Sequence, residues 1–256
     1  MINKILIIFI TLLISANAQE NKKQNSQELP DTSKTNSYEF KIKEPSKVIE
    51  EFGLGKIEKI NLNDNGTPSW IWGDLNKGIT ETDPIEKCYQ FFELHKELFG
   101  MINPREELVV YRTQGGDRVS TVKFYQAHGG VRVRFGQYFV HFNKDEKITG
   151  INGSFDPEAR SIDAIPSISV EQAREIAINS MEKPTTNLYT PERVKPELYI
   201  ARFGGNDDVF NGKFRLVWKW PFVGVPPDNS SWYYYIDAKT GEFVKRESAV
   251  RSTPLK

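Results

Sequence analysis

Two stretches of the chain share the same order of elements, a single helix followed by several strands, and this order most constrains the fold. The first helix is predicted over residues 84–99, with Asp83 as its amino-terminal cap. The second begins at Ser169, which forms a capping-box pattern with Gln172. Because strands cluster after one helix in each stretch, we expect antiparallel sheets with a helix packed on one face, an α+β fold.

Alternating apolar residues predict four strands after each helix. After the first helix the strands cover residues 108–112, 119–126, 131–142 and 147–152. After the second helix they cover residues 197–203, 214–220, 232–237 and 242–246. Within residues 131–142 the apolar alternation changes phase, which predicts a bulge or bend near Gly136.

The amino-terminal residues have the pattern of a secretory signal peptide. An apolar run over residues 5–14 follows Lys4, and residues 16–18 read Ala-Asn-Ala, a small-residue cleavage site. About ten apolar residues are too few to span a membrane, which needs roughly 20. We therefore expect an exported chain, secreted or periplasmic, that is cleaved after Ala18 and has no membrane attachment afterwards. Residues 19–37 are polar and predict a flexible leader.

Charge and cysteine content exclude some classes of protein. The chain has 34 basic and 34 acidic residues, and the basic ones are scattered among acids, so nothing predicts a nucleic-acid partner. Cys88 is the only cysteine, so an internal disulfide is excluded. It shares a predicted helix face with Ile85, Tyr89 and Phe92, which favours a core residue over a reactive thiol.

The motifs of common enzymes are absent from the sequence. A zinc protease of the thermolysin type needs His-Glu-x-x-His, whereas His95, His128 and His141 are the only histidines and are far apart in sequence. There is also no Gly-x-Ser-x-Gly elbow and no phosphate-binding loop. The pair Asp207 and Asp208 favours a polar hairpin loop over a calcium site. We therefore predict no catalytic residue, no metal site and no cofactor.

The aromatic run at residues 232–235 has two interpretations. It is a candidate platform for stacking sugars. Alternation along a strand, however, sends Trp232 and Tyr234 to one face and Tyr233 and Tyr235 to the other. The pattern therefore predicts that one of these pairs lies in the core.

Two stretches resemble known domain families. Residues 122–133, followed by Val-His-Phe-Asn at 140–143 and Ile-x-x-Ile-Asn-Gly at 148–153, resemble the fungalysin/thermolysin propeptide domain. Downstream, the helix after Ser169, Leu-Val-Trp at 216–218 and residues 232–242 resemble a PepSY domain. In zymogens of thermolysin-type zinc proteases the PepSY domain follows the first domain. The resemblance covers about residues 66–248.

This resemblance implies two cystatin-like modules, each a helix packed on an antiparallel sheet. The expected domains are 38–157 for the propeptide domain and 166–248 for the PepSY domain, followed by a tail at 249–256. Residues 156–167, which show no clear periodicity, are the expected domain boundary. In family members these domains assist the folding of an attached zinc protease and hold it inactive. The protease domain is expected to begin shortly after Arg246, yet the sequence contains no zinc-binding helix.

Three functions remain open at this point. The first is a non-catalytic inhibitor or folding chaperone that binds a secreted thermolysin-like metalloprotease in trans. The second is that the chain is the amino-terminal part of a truncated or fragmentary zymogen of such an enzyme. The third is an exported module that binds peptides or envelope polymers, because fold does not fix function.

The resemblance also implies which residues contact the protease. In family zymogens the first domain and the carboxyl-terminal segment of the propeptide make that contact. The expected partner-binding residues are therefore Arg132, Arg134 and Gln137 in an exposed strand, together with Lys245, Arg246 and Arg251 in a strand-like tail. The alternative is that these side chains bind no partner and lie on a solvent-exposed strand face and in a disordered tail.

Overall fold

A computed structural model of the protein describes residues 53–116, 118–181, 195–204, 212–223 and 231–249. Every described residue belongs to one compact unit, Lys41–Lys256. This unit is mixed α+β, with many strands and few helices, in agreement with the predicted class. The predicted signal peptide with its cleavage site, the polar leader, the loop at Asp207 and Asp208, and Arg251 all lie outside the described residues.

The described residues contain three α-helices and one short 3₁₀ helix. The α-helices are α1 (Pro84–Leu94), α2 (Pro104–Glu107) and α3 (Val170–Asn179), and the 3₁₀ helix covers Pro157–Ser161. The predicted caps are confirmed. The Asp83 carboxylate accepts the backbone N–H groups of Ile85 and Glu86, and Ser169 and Gln172 form the capping box.

Helix α1 ends five residues earlier than the sequence predicts. The backbone of His95, with φ −121° and ψ 20°, is no longer helical, and turns follow up to Gly100. These turns let Leu98 and Phe99 enter the core, where they are almost completely buried. The apolar pattern that predicted a longer helix therefore reflects burial of these two side chains and not helical geometry.

The described residues contain ten strands, which form one sheet. They are β1 (Lys56–Leu62), β2 (Pro68–Asp74), β3 (Leu108–Gly115), β4 (Val119–His128), β5 (Val131–Phe142), β6 (Ile148–Ser154), β7 (Glu197–Phe203), β8 (Lys213–Val223), β9 (Ser231–Asp237) and β10 (Phe243–Ser248). The eight predicted strands are confirmed, with small differences at their ends. Strands β1 and β2 were not predicted from the sequence.

The sheet is joined in its middle by a parallel pair. The strand order is β1-β2-β6-β5-β7-β8-β9-β10, and β4 pairs with both β3 and β5. All neighbours are antiparallel except β5 and β7, where Arg132 lies opposite Tyr199 and Val133 opposite Ile200. The two helix-and-strand stretches therefore share one sheet, a connection that the sequence pattern does not predict.

Strand β5 contains the predicted irregularity. Tyr125 of β4 lies opposite Gln137, whereas Ala127, two residues later, lies opposite Arg132. The additional residues of β5 bulge out, and Phe135 takes a φ of +66°. The predicted bulge near Gly136 is confirmed. On the other edge of β5 the bulge separates residues 137–142, which pair with β6, from residues 132–133, which pair with β7.

The bulge is held by a close contact between Gly136 and Gln126. A Cβ atom at Gly136 would lie 2.4 Å from the Gln126 side-chain oxygen, so only glycine fits without displacement. The Gln126 amide donates to the carbonyl of Asp156 over 2.8 Å, and its oxygen accepts the Asp156 N–H over 2.9 Å. These buried bonds connect the bulge to the segment that follows β6.

Both long helices pack on the same face of the sheet. Directly opposed residues share a face, so the register continues each face from strand to strand. Helix α1 covers a core that includes Phe92, Phe124 and Tyr138, while α3 packs against Trp220 and Tyr234. The opposite face carries no helix among the described residues. None of the described helices is long and apolar enough to cross a membrane.

The segment predicted as a domain boundary is packed against both halves of the sheet. Ala159 of the 3₁₀ helix is buried in a cluster that also contains Val133 and Ile200. Asp156 forms an ion pair with Arg202 of β7, with 2.8 Å between carboxylate oxygen and Nε, and both side chains are nearly buried. Residues from both halves therefore contribute to this one buried cluster, which lies between the cores beneath α1 and α3.

Candidate functional site

The face without helices is strongly curved at β5 to β10. These two strands are four positions apart in the sheet, so in a flat sheet about 19 Å would separate them. Nevertheless, Nη2 of Arg134 in β5 lies 2.6 Å from Oε2 of Glu247 in β10. The strands between them must therefore curl. We call the resulting hollow, formed by β5, β7, β8, β9 and β10, the concave face.

The concave face contains a cavity of about 510 Å³. Its lining combines positive charge with aromatic rings. The cations are Arg132, Arg134 and Lys219, the tyrosines are Tyr199, Tyr233 and Tyr235, and the carboxylate is Glu247. Phe135, raised by the bulge and 52% exposed, and Gln137 line the β5 side.

Arg132 is surrounded by aromatic rings. Its guanidinium carbon lies 5.0 Å from the ring centre of Tyr125, 5.8 Å from that of Tyr111 and 6.0 Å from that of Tyr199. The first two rings belong to β4 and β3, whereas Tyr199 is brought to Arg132 by the parallel pairing of β5 with β7. These cation–π contacts hold an otherwise exposed arginine at the edge of the cavity.

Lys219 lies deeper than Arg132. Its side chain is 20% exposed and its ammonium lies 3.9 Å from the ring centre of Tyr233. Burial lowers the pKa of Lys219, and the charges of Arg134 and Arg132 lower it further, while Glu197 and Glu247 act in the opposite direction. The Lys219 ammonium is therefore partly desolvated and lies near two other cations, Arg134 and Arg132.

The hydroxyls of Tyr235 and Tyr199 donate hydrogen bonds to carboxylates. Tyr235 donates to Oε2 of Glu247 over 2.9 Å, the same oxygen that binds Arg134. Tyr199 donates to Glu197 over 2.6 Å. Burial raises the pKa of both phenols, to about 12 for Tyr199, so they act as neutral hydrogen-bond donors at neutral pH.

The structure brings three of the predicted partner-binding residues together. Arg132, Arg134 and Gln137 line the same cavity. Lys245 and Arg246 lie on β10 beside it, and the Arg246 guanidinium is 5.0 Å from the ring of Trp232, on the face that α3 covers. Lys219 and the three tyrosines of the cavity were not predicted as site residues from the sequence.

The alternation in the aromatic run is confirmed and explains where those tyrosines lie. Trp232 and Tyr234 pack in the core beneath α3, whereas Tyr233 and Tyr235 line the cavity. This signal was available from the sequence. The contribution of Lys219 was not, because it depends on the parallel pairing and on the curvature.

The remaining polar candidates have structural surroundings. Cys88 is completely buried, which confirms it as a core residue, and burial raises the pKa of its thiol well above the ordinary value. The His95 ring packs at a tilt against Phe91, His128 contacts the Ile162 carbonyl, and His141 forms hydrogen bonds with Thr121 and Asn152. Within the described ranges no three His, Cys, Asp or Glu side chains lie close enough to hold a metal ion.

Two family models match the chain. The Fungalysin/Thermolysin Propeptide Motif matches residues 108–155, and the family described as Peptidase propeptide and YPEB domain, or PepSY, matches residues 167–247. The chain contains both propeptide domains. The propeptide motif covers β3 to β6, and the PepSY domain runs from just before α3 into β10. Arg132 and Arg134 thus come from the propeptide motif, and Lys219 and the tyrosines of the cavity come from the PepSY domain.

Curated relatives support this assignment. Neutral protease B of Bacillus subtilis (strain 168) is 22% identical over 189 residues, which cover 72% of this chain and 34% of the relative. Bacillolysin of Bacillus amyloliquefaciens is 25% identical over 154 residues, which cover 58% of this chain and 28% of the relative. The chain therefore spans about a third of the length of these relatives, and the matched part is their amino-terminal propeptide region.

A solved structure is also similar to the chain. It is described as the Bacillus megaterium YpeB C-terminal domain and is 18% identical, with a TM-score of 0.33. The alignment covers 74% of this chain and 75% of that one.

Proposed function

We propose that the protein is an exported, non-catalytic propeptide-like protein that binds a secreted thermolysin-like zinc metalloprotease in trans. It acts as an inhibitor of the protease or as a chaperone for its folding. The observation that carries this proposal is the pair of propeptide domains at 108–155 and 167–247, in an order matched by relatives that are proteases. Each domain is proposed to be a cystatin-like module, the first taken as residues 38–157 so that it includes α1, because in each one long helix packs on antiparallel strands.

The concave face is the surface that we assign to the protease. It is built from both domains, so a partner that binds there contacts the propeptide motif and the PepSY domain at once. Aromatic rings and arginines are also the residue types most enriched at protein interfaces. Arg132, Arg134 and Gln137 line the cavity of this surface, whereas Lys245 and Arg246 lie on β10, with Arg246 on the face that α3 covers.

Binding in trans requires a higher intrinsic affinity than binding within one chain. A tethered propeptide has an effective concentration near 1 mM, so a weak interaction is sufficient. A separate chain that acts at nM concentrations needs about 8 kcal/mol more favourable binding free energy than a mM binder. An interface that joins two domains can supply more contacts than either domain alone.

The experiment is a titration with two readouts. The chain without residues 1–18 is added to thermolysin-like metalloproteases from the same source, with bacillolysin and neutral protease B as further probes. We expect either inhibition of the active enzyme or a higher yield of active enzyme after refolding from denaturant. Unchanged activity together with unchanged refolding yield at µM excess would rule out the proposal.

A further inference from the structure

Among the described residues that line the cavity, positive charge exceeds negative charge. Three of them are cations, and the one carboxylate, Glu247, already binds both Arg134 and the hydroxyl of Tyr235. Outside the lining, Glu197 lies 3.9 Å from Lys219, at the limit of an ion pair, and it also accepts the hydroxyl of Tyr199. The existing carboxylates are therefore shared among several donors.

Arg132 lacks a carboxylate partner within the described part of the chain. Its contacts there are with the rings of Tyr111, Tyr125 and Tyr199. Ring contacts orient the guanidinium without using its N–H donors in an ion pair. The five donors of an arginine in this position can therefore bind an anion.

Arg132 and Lys219 approach the same tyrosine. Arg132 lies 6.0 Å and Lys219 5.4 Å from the ring centre of Tyr199. The repulsion between neighbouring cations contributes to the lowered pKa of Lys219. A carboxylate placed near Tyr199 would relieve this repulsion and form charge-assisted hydrogen bonds with both side chains.

The shape and the apolar lining of the cavity indicate a peptide. A volume of about 510 Å³ exceeds what a single small anion fills, and three tyrosines together with Phe135 provide ring surface around the charges. The cavity also extends along Ser248 and Ala249, at the end of β10. A peptide that contacts both Arg132 and this end of β10 therefore runs along the lining in an extended form.

We propose that the concave face recognises an extended acidic peptide segment, with an aspartate or glutamate carboxylate seated between Arg132 and Lys219. Tyr199, Tyr233 and Tyr235 contact the apolar parts of the segment. The inference rests on the proposed function in one respect, that the acidic segment belongs to the partner protease. It adds that the interface recognises acidic side chains.

The experiment uses peptides and no protease. The probe is a fluorescein-labelled hexapeptide of alternating glutamate and threonine, blocked at both ends, and the control peptide has glutamine in place of glutamate. Fluorescence anisotropy measures binding to the chain without residues 1–18. Inorganic phosphate serves as a competitor that carries charge without a peptide backbone.

We expect saturable binding of the acidic peptide and about tenfold weaker binding of the glutamine peptide. Arg132→Gln weakens binding of the acidic peptide by about tenfold. The matched variant Arg174→Gln, on the exposed surface of α3, changes it by less than about twofold. Lys219→Gln gives a second test, once its melting temperature shows that it is folded. Raising the salt concentration weakens binding, because charge pairs near the surface are screened.

Two outcomes overturn the inference. Equal affinity for both peptides, or no saturation up to about 1 mM peptide, shows that no carboxylate is recognised. Phosphate that binds as tightly as the acidic peptide shows a site for small anions. A negative peptide result does not prevent inhibition or assisted refolding in the titration against proteases. A negative protease titration likewise does not change the measured affinity for the peptide. The two proposals can therefore fail independently.

Discussion

Arg134 and Glu247 are 113 residues apart in sequence, yet their side chains form an ion pair of 2.6 Å across the concave face. Arg134 belongs to the propeptide motif and Glu247 to the end of the PepSY domain. The Arg134 guanidinium also lies 5.0 Å from the ring of Tyr235, whose hydroxyl donates to Glu247. This group of three residues connects the two domains on the side of the sheet that the helices leave open.

The first prediction concerns the energy of this ion pair. Arg134 is 19% and Glu247 is 35% exposed, so their interaction is intermediate between a surface pair and a buried one. We expect Arg134→Gln and Glu247→Gln each to lower the free energy of unfolding by about 1 kcal/mol. A double-mutant cycle from urea unfolding should give a coupling of about 1 kcal/mol. Purely additive effects would show that the pair does not stabilise the curvature.

The second prediction concerns the bulge in β5. Gly136→Ala places a Cβ atom against Gln126 and should cost about 1–3 kcal/mol of unfolding free energy. Gly116→Ala is the matched control, because no atom lies within 4 Å of a Cβ there, and it should change stability by less than about 0.5 kcal/mol. Urea denaturation of both variants measures the difference. Equal stabilities would mean that the bulge tolerates a side chain.

The third prediction concerns the link between the two domains. Arg202 is 12% and Asp156 is 9% exposed, and without the Asp156 charge Arg202 keeps an ion pair of 2.6 Å with the exposed carboxylate of Glu158. Asp156→Asn should therefore lower the unfolding free energy by about 2 kcal/mol, less than the loss of a buried pair with no second partner. The unfolding of the wild-type protein should also be a single transition, with coincident curves from tryptophan fluorescence and circular dichroism. Two separated transitions would show that the domains unfold independently.

The fourth prediction is a pH dependence that involves Asp237. Burial by itself would raise the pKa of Asp237, but hydrogen bonds from the backbone of Thr240 and Lys239, together with Arg215, lower it below its ordinary value. A carboxyl whose pKa is lowered in the folded state stabilises the protein above the unfolded pKa of about 4, and this stabilisation is lost as pH falls through the folded value.

Asp237→Asn should therefore cost about 1–2 kcal/mol at pH 7 and clearly less at pH 2.5. Urea unfolding at the two pH values gives the comparison. A cost that is the same at both would show that the charge of Asp237 does not contribute.

Much of the fold was predictable because its signals are local. The caps of α1 and α3 depend on residues within one helical turn, and the strand alternation depends on period two. Strands β1 and β2 were not predicted because their alternation of apolar residues is irregular. Register shifts between Ile57 and Lys59 and between Asn61 and Leu62 interrupt the alternation of β1. The Asn65-Gly66 pair was the available signal for the hairpin that joins them.

The site was less predictable than the fold. Arg132, Arg134 and Gln137 were expected as partner-binding residues because the family resemblance implies contact through this strand, and they remain a prediction. Their neighbours in the cavity could not be predicted, because Tyr199 reaches Arg132 only through the parallel pairing of β5 with β7. Lys219 joins them only because the sheet curls, and neither pairing nor curvature has a signature in a local stretch of sequence.

The central claim is that the concave face binds a thermolysin-like metalloprotease, and its most direct test is isothermal titration calorimetry. The chain without residues 1–18 is titrated into the protease from the same source, alongside the Arg132→Gln and Arg174→Gln variants. We predict a dissociation constant in the nM range, weakened about tenfold or more by Arg132→Gln and unchanged by Arg174→Gln. Absence of binding at about 100 µM, or equal affinity of all three proteins, would contradict the account.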